Sequence, residues 1–148
     1  MNKIKFLQWL PVFVLTLSTT AMKAQTKVMS EALNAQQKSE ADMIVRISEI
    51  EIFPEYLKEY NAILKEESAA SVKAEPGVIS IFPMCQKQNP TQIRIVEIYA
   101  NKAAYQSHLQ TPHFQHYKTT TLKMVKSLKL IDMDALDPAA MDKIFRKL

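Results

Sequence analysis

The sequence predicts an α+β domain of β-α-β-β-α-β order, the ferredoxin-like arrangement with an antiparallel sheet. Three observations predict it. Segments 43–52, 78–86, 92–100 and 125–133 are rich in branched and aromatic residues, as strands are. Helical stretches follow the first and third of them, at 54–73 and 102–124. The sole glycine, Gly77, stands with Pro76 where the first helix must turn into the second strand.

Residues 1–24 read as a signal peptide. Lys3 and Lys5 supply a positive start, Phe6 to Leu17 an apolar stretch, and Ala21-Met-Lys-Ala24 a small-residue end. The apolar stretch is short for a membrane span. Cleavage is expected after Ala24, with Ala21 as the alternative. The protein is then exported, periplasmic or secreted, with no stable membrane insertion. Lys3, Lys5 and Lys23 leave with the segment, so 16 basic residues face 15 acidic ones in the remainder. Such a balance gives no argument for a nucleic-acid partner. Residues 25–42, rich in Gln, Ser, Lys, Glu and Ala, read as a linker.

The folded domain is expected over residues 43–134. Ile44, Val45, Ile47, Ile50 and Ile52 suit the first strand. Pro54 and Glu55 favour the helix start that follows, although Phe53 is an unusual cap. Leu57, Tyr60, Leu64 and Ser71 share one face of that helix. Pro83 marks the second strand as an edge or a bulge. Thr111-Pro112 divides the second helical stretch in two. Residues 135–148 read as a C-terminal amphipathic helix, with Met141, Ile144, Phe145 and Leu148 on one stripe. A four-stranded sheet with helices on one face leaves its other face to be covered. Cys85 is the only cysteine, so no intrachain disulfide can stabilise this small exported domain. Both facts favour a homodimer.

The chemistry gathers in residues 97–118. All three histidines, His108, His113 and His116, lie there beside Tyr105, Phe114 and Tyr117. Histidine is the side chain suited to moving protons near neutral pH. A single glycine excludes the dinucleotide fingerprint and the phosphate-cradling loop. The histidine spacing is superficially zinc-like. However, Pro112 breaks the helix between the first two, and no acidic residue lies between Glu97 and Asp132. No metal site is expected. Cys85, on a strand without an evident base, reads as a small apolar filler rather than a nucleophile.

The run Glu97-Ile98-Tyr99, Ala103-Ala104-Tyr105-x-x-His108, Thr111-Pro112-His113-Phe114-x-x-Tyr117 resembles the antibiotic biosynthesis monooxygenase family, which includes quinol monooxygenases. Arg46 to Ile52, Pro54-Glu55, Glu75 to Val78 and Asn89-Pro90-Thr91 agree with it. The resemblance covers residues 43–134. It implies a dimeric α/β barrel and cofactor-independent monooxygenation of a phenolic or quinol-type substrate, a small aromatic molecule, with O2. It places His108 as the catalytic base and His113 on the Thr-Pro-His-Phe element. Tyr105 and Phe114 would wall the pocket, Glu97 would orient a histidine or the substrate, and Arg46 would hold an anionic oxygen. Haem-degrading members of the superfamily carry a tryptophan where His108 stands and an axial histidine where Lys118 stands. The only tryptophan, Trp9, leaves with the signal peptide, so no haem is expected. A second reading is a non-catalytic small-molecule binding module on the same fold.

Overall fold

The structure, a computed structural model, describes residues 17–138. It divides into two units. The first unit contains most of helix α1 (Leu17–Ala41), which occupies the end of the expected signal peptide and the expected linker. Its described side chains, at 21–35, are all exposed. Good helix formers such as Ala, Lys, Gln and Glu account for its conformation, with no buried face to support it. Residues 25–41 of the expected linker are thus helical. Among the described residues no helix is long and apolar enough to cross a membrane.

The second unit carries the expected order. β1 (Ile44–Ile52) leads through a single 3-10 turn at Pro54–Tyr56 into α2 (Leu57–Ala74). β2 (Val78–Cys85) and β3 (Gln92–Tyr99) form a hairpin. The short helices α3 (Lys102–His108) and α4 (Pro112–Thr121) follow, then β4 (Val125–Met133). The sheet is antiparallel in the order β2-β3-β1-β4. Pro83 therefore lies on an edge strand, where its missing donor is tolerated. The helical segment of the C-terminal expectation, residues 139–148, lies outside the described residues.

The caps agree with the sequence. Asn101 Oδ1 accepts the Ala104 amide at 2.9 Å, and Thr111 Oγ1 accepts that of Phe114 at 3.4 Å. Phe53 makes no side-chain cap, and Pro54 starts the turn. The core joins Ile50, Ile52, Ile93 and Ile95 of the sheet to Tyr60 and Leu64 of α2 and to Met124. The buried stripe of α2 runs Tyr60, Leu64, Glu67, Ser68 and Ser71. Its spacing is that of a helix face, but three of the five residues are polar.

Gly77 has a packing role. A Cβ there would stand 2.4 Å from the Cβ of Ala104 on α3, a separation real Cβ atoms do not tolerate. The Gly77 carbonyl also accepts the Ala100 amide at 2.9 Å. The start of β2 therefore lies directly against α3, which carries Tyr105 and His108. Cys85 is exposed at the end of β2. That corrects its reading as a filler.

Candidate active site

A pocket of about 290 Å³ lies between the helices and the inner face of the sheet. Strand alternation supplies its floor: Arg46, Ser48 and Ile50 of β1, Ile81 of β2, and Ile95, Glu97 and Tyr99 of β3. Glu67 of α2, Tyr105 and His108 of α3, and Phe114, Tyr117 and Lys118 of α4 form the walls. Leu128 and Leu130 of the edge strand β4, more than half exposed, mark its open side.

Five of the six expected site residues meet here: Arg46, Glu97, Tyr105, His108 and Phe114. His108 is only 2% exposed. The Phe114 and Tyr99 ring centroids lie 4.6 and 5.3 Å from its own. Its two nitrogens, however, face carboxyl groups. Nδ1 is 3.0 Å from Glu75 Oε1, and Nε2 is 3.7 Å from Glu67 Oε1. The ring is thus held between aromatic neighbours and two carboxyl groups.

His113 is not on the pocket lining. Its Nε2 lies 2.6 Å from the same Glu75 oxygen, which places it behind His108. Glu75 needs a hydrogen from each ring when ionised. It therefore sets N–H at Nδ1 of His108 and at Nε2 of His113. Burial alone would raise the Glu75 carboxyl. The hydrogen bonds from His108 and His113 outweigh that and hold it below the ordinary carboxylate range. Among the described residues, Glu75, His108 and His113 are the group whose potential metal-ligand atoms converge, within 4.8 Å of one another. The acidic member that His108 and His113 lack in their own segment thus comes from the end of α2. In this structure those atoms are engaged with one another by hydrogen bonding.

Glu97 does not orient a histidine; Glu75 does. The Ser48 and Tyr99 hydroxyls both donate to Glu97, the latter at 3.0 Å. Arg46 is held from its outer side. Asp132 Oδ1 takes both Nε and Nη2 at 2.7 Å, and the guanidinium carbon sits 4.8 Å from the Tyr105 ring centroid. Burial opposes its charge, but hydrogen bonding to Asp132 and Tyr105 keeps its pKa above the ordinary value. Nη1 stays outside the pair with Asp132.

Tyr60, Tyr99 and Tyr117 keep their protons. Burial, then the nearby Glu97 carboxylate, pushes Tyr99 up. Burial, then Tyr117, does the same to Tyr60, whose hydroxyl is 2.7 Å from that of Tyr117. Burial pushes Tyr117 itself up to about 12. Glu67 is 4% exposed, and burial raises its carboxyl above the ordinary range. Glu67, Glu75 and Tyr99 belong to the site although no sequence motif singles them out for it. Glu67 did leave a signal, because it falls three residues after Leu64 on the core face of α2.

Residues 43–120 match the family model described as antibiotic biosynthesis monooxygenase. A candidate enzyme of that description from Bacteroides thetaiotaomicron is 49% identical, with a TM-score of 0.65, over 66% of this chain and 92% of that one. A candidate monooxygenase from Lactobacillus acidophilus is 28% identical, with a TM-score of 0.60, over 62% of this chain and 43% of that one. A Nitrosomonas europaea protein, also described as a candidate antibiotic biosynthesis monooxygenase, shares the fold at 18% identity and a TM-score of 0.61, over 66% and 93%. No curated protein matches.

Proposed function

Because the chain belongs to the antibiotic biosynthesis monooxygenase family, we propose that it oxygenates a phenolic or quinol-type substrate with dioxygen, without a cofactor, and that His108 is the general base. One observation carries this reading. Glu75 holds the hydrogen of His108 on Nδ1, which leaves a lone pair on Nε2, on the side of the ring facing the pocket residue Glu67. A base held in one tautomer beside a small aromatic-walled pocket suits removal of a phenolic proton.

The remaining steps follow from the substrate. A phenolate is electron-rich enough to give an electron to dioxygen, and recombination forms a carbon–oxygen bond. The protein need only bind, deprotonate and shield. At about 290 Å³ the pocket is small for a ligand site and suits one or two rings. Arg46, on the pocket floor, would hold the phenolate oxygen.

A homodimer completes the proposal. Register puts Val45, Ile47, Phe82, Val96, Ile98 and Ile131 on the sheet face away from the helices. Phe82 is 59% exposed there. A second copy would cover that apolar face, as the barrel of this family requires.

Oxygen uptake with a panel of hydroquinones tests the function. His108→Ala is expected to lower turnover about a hundredfold or more. His116, exposed and touching only Thr120 at 3.4 Å through its ring, should be replaceable by Ala with little change. Full turnover in His108→Ala would remove the base from this residue. Ligand binding without oxygen consumption by the parent protein would favour the binding-module reading.

A further inference from the structure

We propose that Glu67 is the second catalytic group of this pocket, a carboxylic acid that protonates the peroxide formed on the substrate and later takes back the ring proton. This inference rests on the oxygenation reading above and deepens it.

Position is the first argument. Glu67 sits on the core face of α2, lines the pocket, and lies 3.7 Å from the Nε2 at which His108 would take the phenolic proton. An acid and a base thus flank the same space. Hydrogen-bond geometry is the second. Ser71 donates to Glu67 Oε1 at 2.8 Å. Ser68 has one hydroxyl hydrogen, and the Leu64 carbonyl takes it at 2.7 Å. Its lone pairs then face Glu67 Oε2 at 3.4 Å, an arrangement that suits a hydrogen on Oε2. Charge is the third. Burial opposes ionisation of Glu67, and the Glu97 carboxyl on β3 acts in the same direction; together they outweigh the Ser71 hydrogen bond and the nearby His108 and His113, which favour the ionised form. Among the described residues no Lys or Arg pairs with Glu67. Two carboxyl groups facing one pocket are thereby set apart: Glu97 accepts two hydroxyl donors, and Glu67 keeps a proton.

The proton balance closes with both groups. His108 takes the phenolic proton of a hydroquinone and becomes imidazolium. The phenolate passes one electron to dioxygen, and the two radicals join at the neighbouring ring carbon as a peroxide anion. Glu67 gives its proton to the outer oxygen, leaving a neutral hydroperoxide and a carboxylate. The ring carbon then loses its hydrogen to Glu67 as the O–O bond breaks. The electron pair of that C–H bond forms the new carbonyl, and hydroxide leaves. The imidazolium protonates the hydroxide to water. One oxygen atom ends in the hydroxyquinone and one in water, and both side chains return to their starting states.

Glu67→Gln keeps the shape of the side chain and removes the acid. Anaerobic stopped-flow absorbance would follow phenolate formation, and oxygen and peroxide assays would follow turnover. The expected result is phenolate formation as in the parent, with oxygenation slowed about a hundredfold and part of the consumed oxygen released as hydrogen peroxide. Glu67→Asp, which keeps an acid, should recover part of the rate, and thermal melts of both variants would confirm folding. Undiminished turnover in a folded Glu67→Gln overturns the assignment and leaves the function standing. Loss of anaerobic phenolate formation also overturns it, because Glu67 would then act by positioning His108. A parent protein that consumes no oxygen with any hydroquinone overturns both.

Discussion

Glu75→Ala would separate the orientation of His108 from its presence. In the parent protein a single Glu75 oxygen accepts from His108 Nδ1 at 3.0 Å and from His113 Nε2 at 2.6 Å. Alanine strands both donors. His108 is only 2% exposed, so its orphaned donor should cost about 1–3 kcal/mol. The His113 side chain is 22% exposed, so water replaces much of what it loses. In a domain of this size each kcal/mol is worth roughly 4–8 °C in Tm. The freed imidazole can move its hydrogen to Nε2, toward Glu67, where it no longer serves as a base. Turnover should then fall about a hundredfold or more while the fold persists. Nitrogen-15 NMR of the histidine rings reads the tautomer directly, and oxygen uptake reads the consequence. An Nε2–H tautomer in the parent protein, or undiminished turnover in Glu75→Ala, would refute the reasoning.

Two further outcomes are expected. Ile47→Lys places a charge in the middle of the sheet face away from the helices, and sedimentation should show a dimeric parent and a monomeric variant; a monomeric parent at micromolar concentration would sink the dimer proposal. Glu67 and Glu75 should contribute to stability with opposite pH dependence. The raised Glu67 stabilises below the ordinary carboxylate range, and that contribution is lost as pH rises through its folded value; the depressed Glu75 stabilises above that range and loses its contribution as pH falls. Denaturation midpoints should therefore improve for Glu67→Gln relative to the parent as pH rises from about 5 to 8. For Glu75→Gln they should worsen relative to the parent as pH rises from about 3 to 5, where the parent gains the Glu75 contribution, and stay level above that; curves parallel to the parent in either window would contradict the assignment.

The fold was legible because local signals agreed. Branched strand residues, the Pro76-Gly77 turn and the Thr111-Pro112 cap each specify a short piece of backbone, and together they allow one element order. Pro83 even placed its strand at an edge. The helix across residues 25–41 was less legible, for a related reason. The segment has no apolar stripe to announce a buried face, and its helix rests on backbone propensity alone, a weaker signal than periodicity.

The candidate site was only half legible, and most of the missing half comes from α2 and the Glu75 that caps it. Residues 97–118 announced themselves by holding every histidine, and the pocket does form around His108, Tyr105 and Phe114. Their partners lie far away in sequence: Glu75 is 33 residues from His108. Histidines in one segment therefore looked unsupported until the fold brought the end of α2 against them. Glu67 was hidden differently. It occupies a core position of α2, three residues after Leu64 and four before Ser71, where a helix serving only as packing would carry an apolar side chain. Burying a carboxyl group in that position opposes its ionisation and costs stability when it is forced to ionise. Packing does not account for a cost of that kind, whereas a pocket that needs a neutral acid opposite an oriented imidazole does. The polar break in the stripe of α2 is thus the sequence feature that carries most about chemistry, and its meaning depends on Gly77, which lets α3 come close enough to set His108 across from it.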